Sequence, residues 1–161
     1  MRKTNADDVE RKEYEQRDGK LRRKELSNAV GADKLGCSLY ELLPDGRSWP
    51  YHYHTANEEA FYVLEGEGTL RHEEDEEPLR EGDFVNLPAD ESGGHQVVND
   101  SDESLRYLAL STMEEPDVTV YPEMDKIGVF VGSPPGGREE RPVHGYYRTE
   151  DKTEYWGEDD G

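Results

Sequence analysis

The chain has 161 residues, only 32% of them hydrophobic, and 39 acidic against 19 basic residues give a net charge of −20. The length suits one domain with modest extensions. The acidity excludes nucleic acid as the main partner, because phosphate contacts need clustered basic side chains. So much acid fits either an intrinsically disordered chain or a folded protein in molar salt, where the Debye length shrinks to roughly 3 Å and self-repulsion is screened.

Residues 1–34 are charged and poor in apolar side chains; residues 1–26 alone hold nine basic and seven acidic residues. The run VERKEYEQRDGKLRRKEL has some helical character. Its apolar positions (Val9, Tyr14, Leu21, Leu26) do not form a stripe, so an arm that adds a strand or packs at a dimer edge is the alternative. A net of +2 makes it a solvated or partly folded arm rather than a nucleic-acid binder.

From Leu35 the texture changes. LGCSLYELLPDG reads as a strand ended by a Pro-Asp-Gly turn, WPYHYH as a short strand, and TAN as a turn. EEAFYVLEG is a strong strand, TLRH and PLR bracket an acidic hairpin tip, and GDFVNLP, GHQVVN and SLRYLALS follow. This series of short strands, with no helical period over 35–113, argues for an all-β sandwich or barrel. Runs like these, spaced by turn residues, favour the folded, salt-adapted reading over disorder.

After Met113, EEPDVTVYPEM carries one extended segment and KIGVFVG a strand. SPPGGREERP is a loop by its prolines and glycines. The tail GYYRTEDKTEYWGEDDG is expected to dock its aromatics on the body and to end in loose acid. The expected organisation is a charged arm (1–34), a β body (35–113) and a C-terminal extension (114–161).

Cys37 is the only cysteine, which rules out an intramolecular disulfide; it reads as a small buried residue. No apolar run is long enough for a membrane span, and MRKTNADDVERK lacks the apolar core of a signal peptide. A cytoplasmic protein without membrane or nucleic-acid partners is expected.

Side chains alternate between the faces of a strand, so His52 and His54 point one way and Tyr51 and Tyr53 the other. On the next strand Glu59, Phe61 and Val63 share a face, and a turn between the strands brings Glu59 beside the histidines. His95 opens a further strand. Three histidines and a carboxylate suit a first-row divalent metal: iron, manganese, nickel, cobalt, zinc or copper.

At these residues the chain resembles the cupin superfamily. The first cupin motif, G-x5-H-x-H-x4-E-x6-G, is met without a gap by Gly46, His52, His54, Glu59 and Gly66. The glycine spacing selects Glu59 over Glu58. The second, G-x5-P-x-G-x2-H-x3-N, is recognisable in Gly82, Pro88, His95 and Asn99. There PADESGGH places Asp90 where glycine is expected and runs two residues longer, with Gly93 and Gly94 as another route to the turn.

The resemblance spans about 35–113 and implies a double-stranded β-helix (jelly-roll barrel) holding a divalent transition metal on His52, His54, Glu59 and His95. It looks like the small single-domain cupins without an assigned reaction, which commonly pair as homodimers through exchanged edge strands. Phe61 and Val63, with Phe84, Gln96 and Tyr107, are the expected pocket wall for a small-molecule ligand. His72 and His144 are expected at the surface, and Trp49, Tyr51 and Tyr53 in packing.

Cupins with this ligand set resemble dioxygenases, isomerases, decarboxylases and lyases, and a fold does not choose among them. The expected function is that of a metal-dependent enzyme acting on a small polar organic molecule. A non-catalytic binding or sensor module is the alternative, and a metal-free structural barrel stands behind both.

Overall fold

The computed structural model describes residues 1–17, 19–73 and 75–156. In chain order the strands are β1 (Lys12–Tyr14), β2 (Leu21–Glu25), β3 (Leu35–Leu42), β4 (Tyr53–His54), β5 (Glu59–Glu65), β6 (Glu67–His72) and β7 (Asp75–Arg80). They continue as β8 (Phe84–Leu87), β9 (Gln96–Val98), β10 (Leu105–Thr112), β11 (Asp117–Tyr121), β12 (Lys126–Val131) and β13 (Val143–Arg148). The α-helical content among the described residues is one turn, Leu26–Ala29. No helix there is long and apolar enough to cross a membrane.

The strands form three antiparallel sheets, in the orders β1-β2-β3-β10-β5-β8, β13-β12-β11-β4 and β7-β6-β9. The arm supplies β1 and β2, and β2 pairs with β3 of its own chain, Leu21 opposite Leu42 and Arg23 opposite Tyr40. The extension supplies β11–β13. Its β11 pairs with β4, Thr119 opposite His54, so the last third of the chain folds back against the strand of the paired histidines.

Alternation decides which residues enter the core. On β5, Phe61 and Val63 are buried while Tyr62 and Leu64 are exposed. On β10, Leu105 and Tyr107 are buried and face Leu42 and Tyr40 of β3. With Leu21, Leu70, Leu79, Leu87 and Val97 these residues make one continuous core, each fully buried aliphatic or aromatic side chain contributing about 1.5–3 kcal/mol. Gly66 turns β5 into β6 at φ +84°, and a side chain there would meet the Ser104 carbonyl; only glycine meets both demands.

Two expectations for the tail and hairpin change. Tyr155 and Trp156 are 88% and 87% exposed, so these aromatics pack on each other and not on the body. Residues 157–161, where loose acid was expected, lie outside the described residues. The acidic tip of the β6–β7 hairpin is shorter than EEDEE suggests: β7 already begins at Asp75, opposite His72.

Candidate metal centre

His52 and His95 face each other across an isolated antiparallel bridge, with amide-to-carbonyl distances of 3.2 and 2.9 Å. The five steps from Arg47 to His52 are matched by three from Val98 to His95, so the chain bulges at Trp49-Pro50. Proline has no N–H to give a ladder. The Pro50 carbonyl is free to turn inward, where it accepts from His52 Nδ1 at 2.7 Å.

The longer segment after Pro88 is a built turn. The Asp90 side chain accepts from Ser92 N and opens a single 3₁₀ turn at Glu91–Gly93. A Cβ at Gly93 would overlap the Pro88 carbonyl, so that position demands glycine. The Gly93 carbonyl then accepts from His95 Nδ1 at 2.8 Å. Beyond it Asn99, fully buried, is held by the carbonyls of Leu42 and Glu103 and closes the β9–β10 turn through Ser101.

His54 is held differently. Its Nδ1 meets Asp117 Oδ2 at 2.6 Å and Thr119 Oγ1 at 3.2 Å, both from β11. All three imidazoles therefore commit Nδ1 to an oxygen of the protein and leave Nε2 for the centre. Glu59 Oε2 stands 3.5 Å from His54 Nε2 and 3.5 Å from His95 Nε2. Ligand atoms of His52, His54 and Glu59 all lie within 4.8 Å of one another. A histidine whose second nitrogen is anchored to a carbonyl or carboxylate is the arrangement metal-binding imidazoles show, with tautomer and ring angle both fixed. The triad of His52, His54 and Glu59 offers the imidazole and carboxylate donors that a divalent first-row metal takes, and His95 Nε2 stands beside it, 3.5 Å from Glu59.

Electrostatics agree with that use. Burial, joined by the neighbouring His95 and His54, lowers the His52 pKa to about 3. Burial lowers His95 to about 4 against the pull of the Gly93 carbonyl. Both rings are neutral near pH 7, as ligation requires. Burial also works to lower His54, but Glu59 and Asp117 on its two sides outweigh it and raise its pKa. Burial works to raise Asp117, but its hydrogen bond and charge contact with His54, together with the Ala56 amide and the Asn57 side chain, outweigh that and lower it.

His52, His54 and Glu59 line a cavity of about 780 Å³. Tyr121 stacks on His52 with centroids 5.7 Å apart. Tyr40, Trp49, Phe130 and Tyr146 add aromatic wall. Trp49 Nε1 donates to Tyr40 Oη at 2.9 Å; an indole N–H only donates, so the Tyr40 hydroxyl keeps its own hydrogen to give. Burial pushes its pKa up, so it stays a donor.

A cupin-domain family profile matches residues 38–111. A candidate sugar phosphate isomerase from Acidithiobacillus ferrooxidans is 32% identical, over 82% of this chain and 78% of that one, with a TM-score of 0.71. The chain belongs to the cupin superfamily. A sugar phosphate isomerase of that superfamily from Silicibacter pomeroyi is 26% identical over 92% of this cupin and 94% of its own chain, with a TM-score of 0.79. The polyketide cyclase RemF from Streptomyces resistomycificus, 23% identical over 70% of this chain and 79% of that one with a TM-score of 0.60, shares the fold. No curated protein matches the chain.

Among the pocket residues expected from sequence, Phe84 is misplaced: it is 64% exposed. It pairs with Tyr62 on β5, and Tyr62 lies on the outer face because Phe61 and Val63 take the inner one. Phe61 sets its edge 5.2 Å from the His95 ring, and Tyr107 follows behind it at 5.1 Å. Both belong to the core behind the ligands, as does Val63. Gln96 is buried but spent, donating to the Trp49 carbonyl and accepting from Arg71.

His144 is exposed, as expected, yet its ring stacks 4.9 Å from Phe130 and lines the cavity of this cupin. Glu58 is exposed, and the carboxylate that hydrogen-bonds a histidine of the site is that of Asp117. Asp117, Thr119 and Tyr121 were the residues missed. Their alternation within DVTVY was readable, but nothing local said that this strand would lie on His54. Cys37 lies half-buried at the cavity wall with its pKa raised by burial, which makes it a poor nucleophile.

Proposed function

We propose that this cupin is a metal-dependent enzyme acting on a small polar organic molecule, of isomerase type and with a sugar phosphate as the substrate class to try first. The observation that carries the metal is the commitment of all three Nδ1 atoms to protein oxygens, with ligand atoms of His52, His54 and Glu59 within 4.8 Å of one another and His95 Nε2 3.5 Å from Glu59. What supports the isomerase type is the likeness, above a quarter identity and over most of both chains, to two proteins described by that activity.

His52, His54, Glu59 and His95 would hold the metal. When bound, it supplies a Lewis acid that polarises a carbonyl or hydroxyl oxygen. The chain's own contribution is placement. Pro50, Gly93 and Asp117 keep the imidazoles in one tautomer, the aromatic wall excludes water, and Tyr40 offers a hydroxyl hydrogen toward the bound molecule.

Elemental analysis of protein purified in high salt tests the metal. The expectation is close to one equivalent of a first-row divalent metal, lost in both His52→Ala and His95→Ala. Less than about a tenth of an equivalent, with no gain on reconstitution, would overturn the reading. Interconversion of aldose and ketose phosphates by the reconstituted protein tests the reaction type. Tight binding of such a compound without turnover would favour a binding module instead.

A further inference from the structure

Cations gather where this acidic chain holds its cavity. Across the sequence acidic residues outnumber basic ones by 39 to 19. Among the cavity-lining residues the order reverses: Arg23, Lys126 and Arg141 stand against Glu59 and Glu139, and Glu59 already faces the histidines.

The three cations are not equivalent. Arg23 is spent on Glu25 at 3.2 Å and Ser38 at 3.0 Å. Arg141 is pinned by neutral acceptors only: Nε gives to the Ser133 carbonyl at 2.6 Å and Nη2 to the Pro134 carbonyl at 2.8 Å. Its guanidinium lies 5.3 Å from the Phe130 ring centre, and Nη1 makes no bond among the described residues. Lys126 has no ion pair there either, and both side chains are half-buried. Glu139 shares the wall without pairing with either one.

Placement relates them to the metal centre. Lys126 sits directly across from Tyr121 on the neighbouring strand, and Tyr121 stacks on His52. Strands lie about 4.8 Å apart. Lys126 thus belongs two steps from the ligands, on the order of 10 Å, which is the span of a small sugar chain. Lys126, Gly128 and Phe130 share the inward face of β12, and His144, across from Phe130, brings a third nitrogen-bearing group to the same wall.

We propose that Lys126 and Arg141 form an anion subsite that docks a phosphate group of the molecule whose other end reaches the His52/His54/Glu59/His95 centre. A half-buried cation without a carboxylate partner, in a chain so rich in carboxylates, is a position held for an anion from outside. Arg141 presents the planar fork that suits phosphate, and Lys126 adds a point charge. The proposal rests on the reading of this cavity as a substrate site, and it assigns substrate recognition to the C-terminal extension.

The test uses the full chain, treated with chelator so that its outcome is independent of the metal and of turnover. Inorganic phosphate is titrated by calorimetry at the lowest salt at which circular dichroism shows the fold intact, with quenching of the cavity residue Trp49 as a second signal. One phosphate per chain is expected, and no signal from an uncharged monosaccharide. Lys126→Gln and Arg141→Gln should each weaken binding by about tenfold or more. Arg138→Gln, an exposed arginine of the same loop that does not line the cavity, should leave it unchanged. The Lys126 side chain makes no bond among the described residues, so that variant keeps its fold. Absence of phosphate binding, affinity unchanged from the parent chain in both variants, or an equal loss in Arg138→Gln would overturn the subsite while leaving the metal-dependent activity to its own assay.

Discussion

A histidine serves a metal only if it is neutral at one nitrogen and aimed. His54 reaches both conditions through Asp117, a residue 63 positions away. The carboxylate fixes the proton on Nδ1 and makes Nε2 a stronger donor. Asp117→Asn keeps the shape and removes the charge. Metal affinity, measured by competition with a coloured chelator, should fall by about 10- to 100-fold with the circular dichroism unchanged. In the metal-free protein the His54 pKa, followed by NMR, should drop, since one of the two carboxylates that raise it is gone. Unchanged affinity would mean that Asp117 only packs.

At the scale of elements, the site is two tight devices on a regular frame. The Trp49-Pro50 bulge aims His52, and the 3₁₀ turn after Asp90 aims His95. Gly93→Ala separates the second device from the first. A methyl group at 93 collides with the Pro88 backbone, which cannot move as a side-chain tip could. The turn must open, and the Gly93 carbonyl leaves His95 Nδ1. This variant should lose most of its metal affinity while His52 and His54 stay in place, a loss readable by the same competition assay.

The alternation of WPYHYH and EEAFYVLEG, and the gap-free run from Gly46 to Gly66, made the clustering of His52, His54 and Glu59 legible, because both are local and follow the two-residue strand period. His95 was legible by type, with its longer approach explained only by the Asp90–Ser92 cap. Phe84 was misjudged because an aromatic in GDFVNLP does not announce its register, and the antiparallel partner Tyr62 decided it. Asp117, Lys126 and Arg141 were invisible as site residues. Their roles depend on β11 lying against β4, a pairing between segments more than sixty residues apart.

For the whole molecule, the neutral buried histidines set an acid limit. In the unfolded chain a histidine takes its proton near 6.5, while in the fold His95 resists to about 4 and His52 to about 3. Both folded values are depressed. Their stability is thus fully present above about 6.5 and is lost progressively as pH falls toward 3. His54, raised, works in the opposite sense. Acidification also relieves the repulsion of a chain at −20, which masks the loss in a single melting curve. The clean measurement is a difference. Between pH 7 and pH 4.5, the Tm of the metal-free protein should drop more than that of a His52→Gln/His95→Gln protein, in which repulsion is relieved equally. Parallel curves would show that these rings are not buried neutral.

Two of the three imidazoles lean on main-chain carbonyls, at Pro50 and Gly93, and the third leans on side chains, those of Asp117 and Thr119. A carbonyl oxygen is present whatever residue bears it, so substitution can displace the first two supports but cannot delete them. Asp117 can be deleted outright. Of the four contacts that orient the histidines, His54–Asp117, the shorter of the two made to side chains, carries the charge that a single codon can remove. A lineage that needed a weaker or a tighter grip on the proposed metal would find its adjustment there, without touching a ligand.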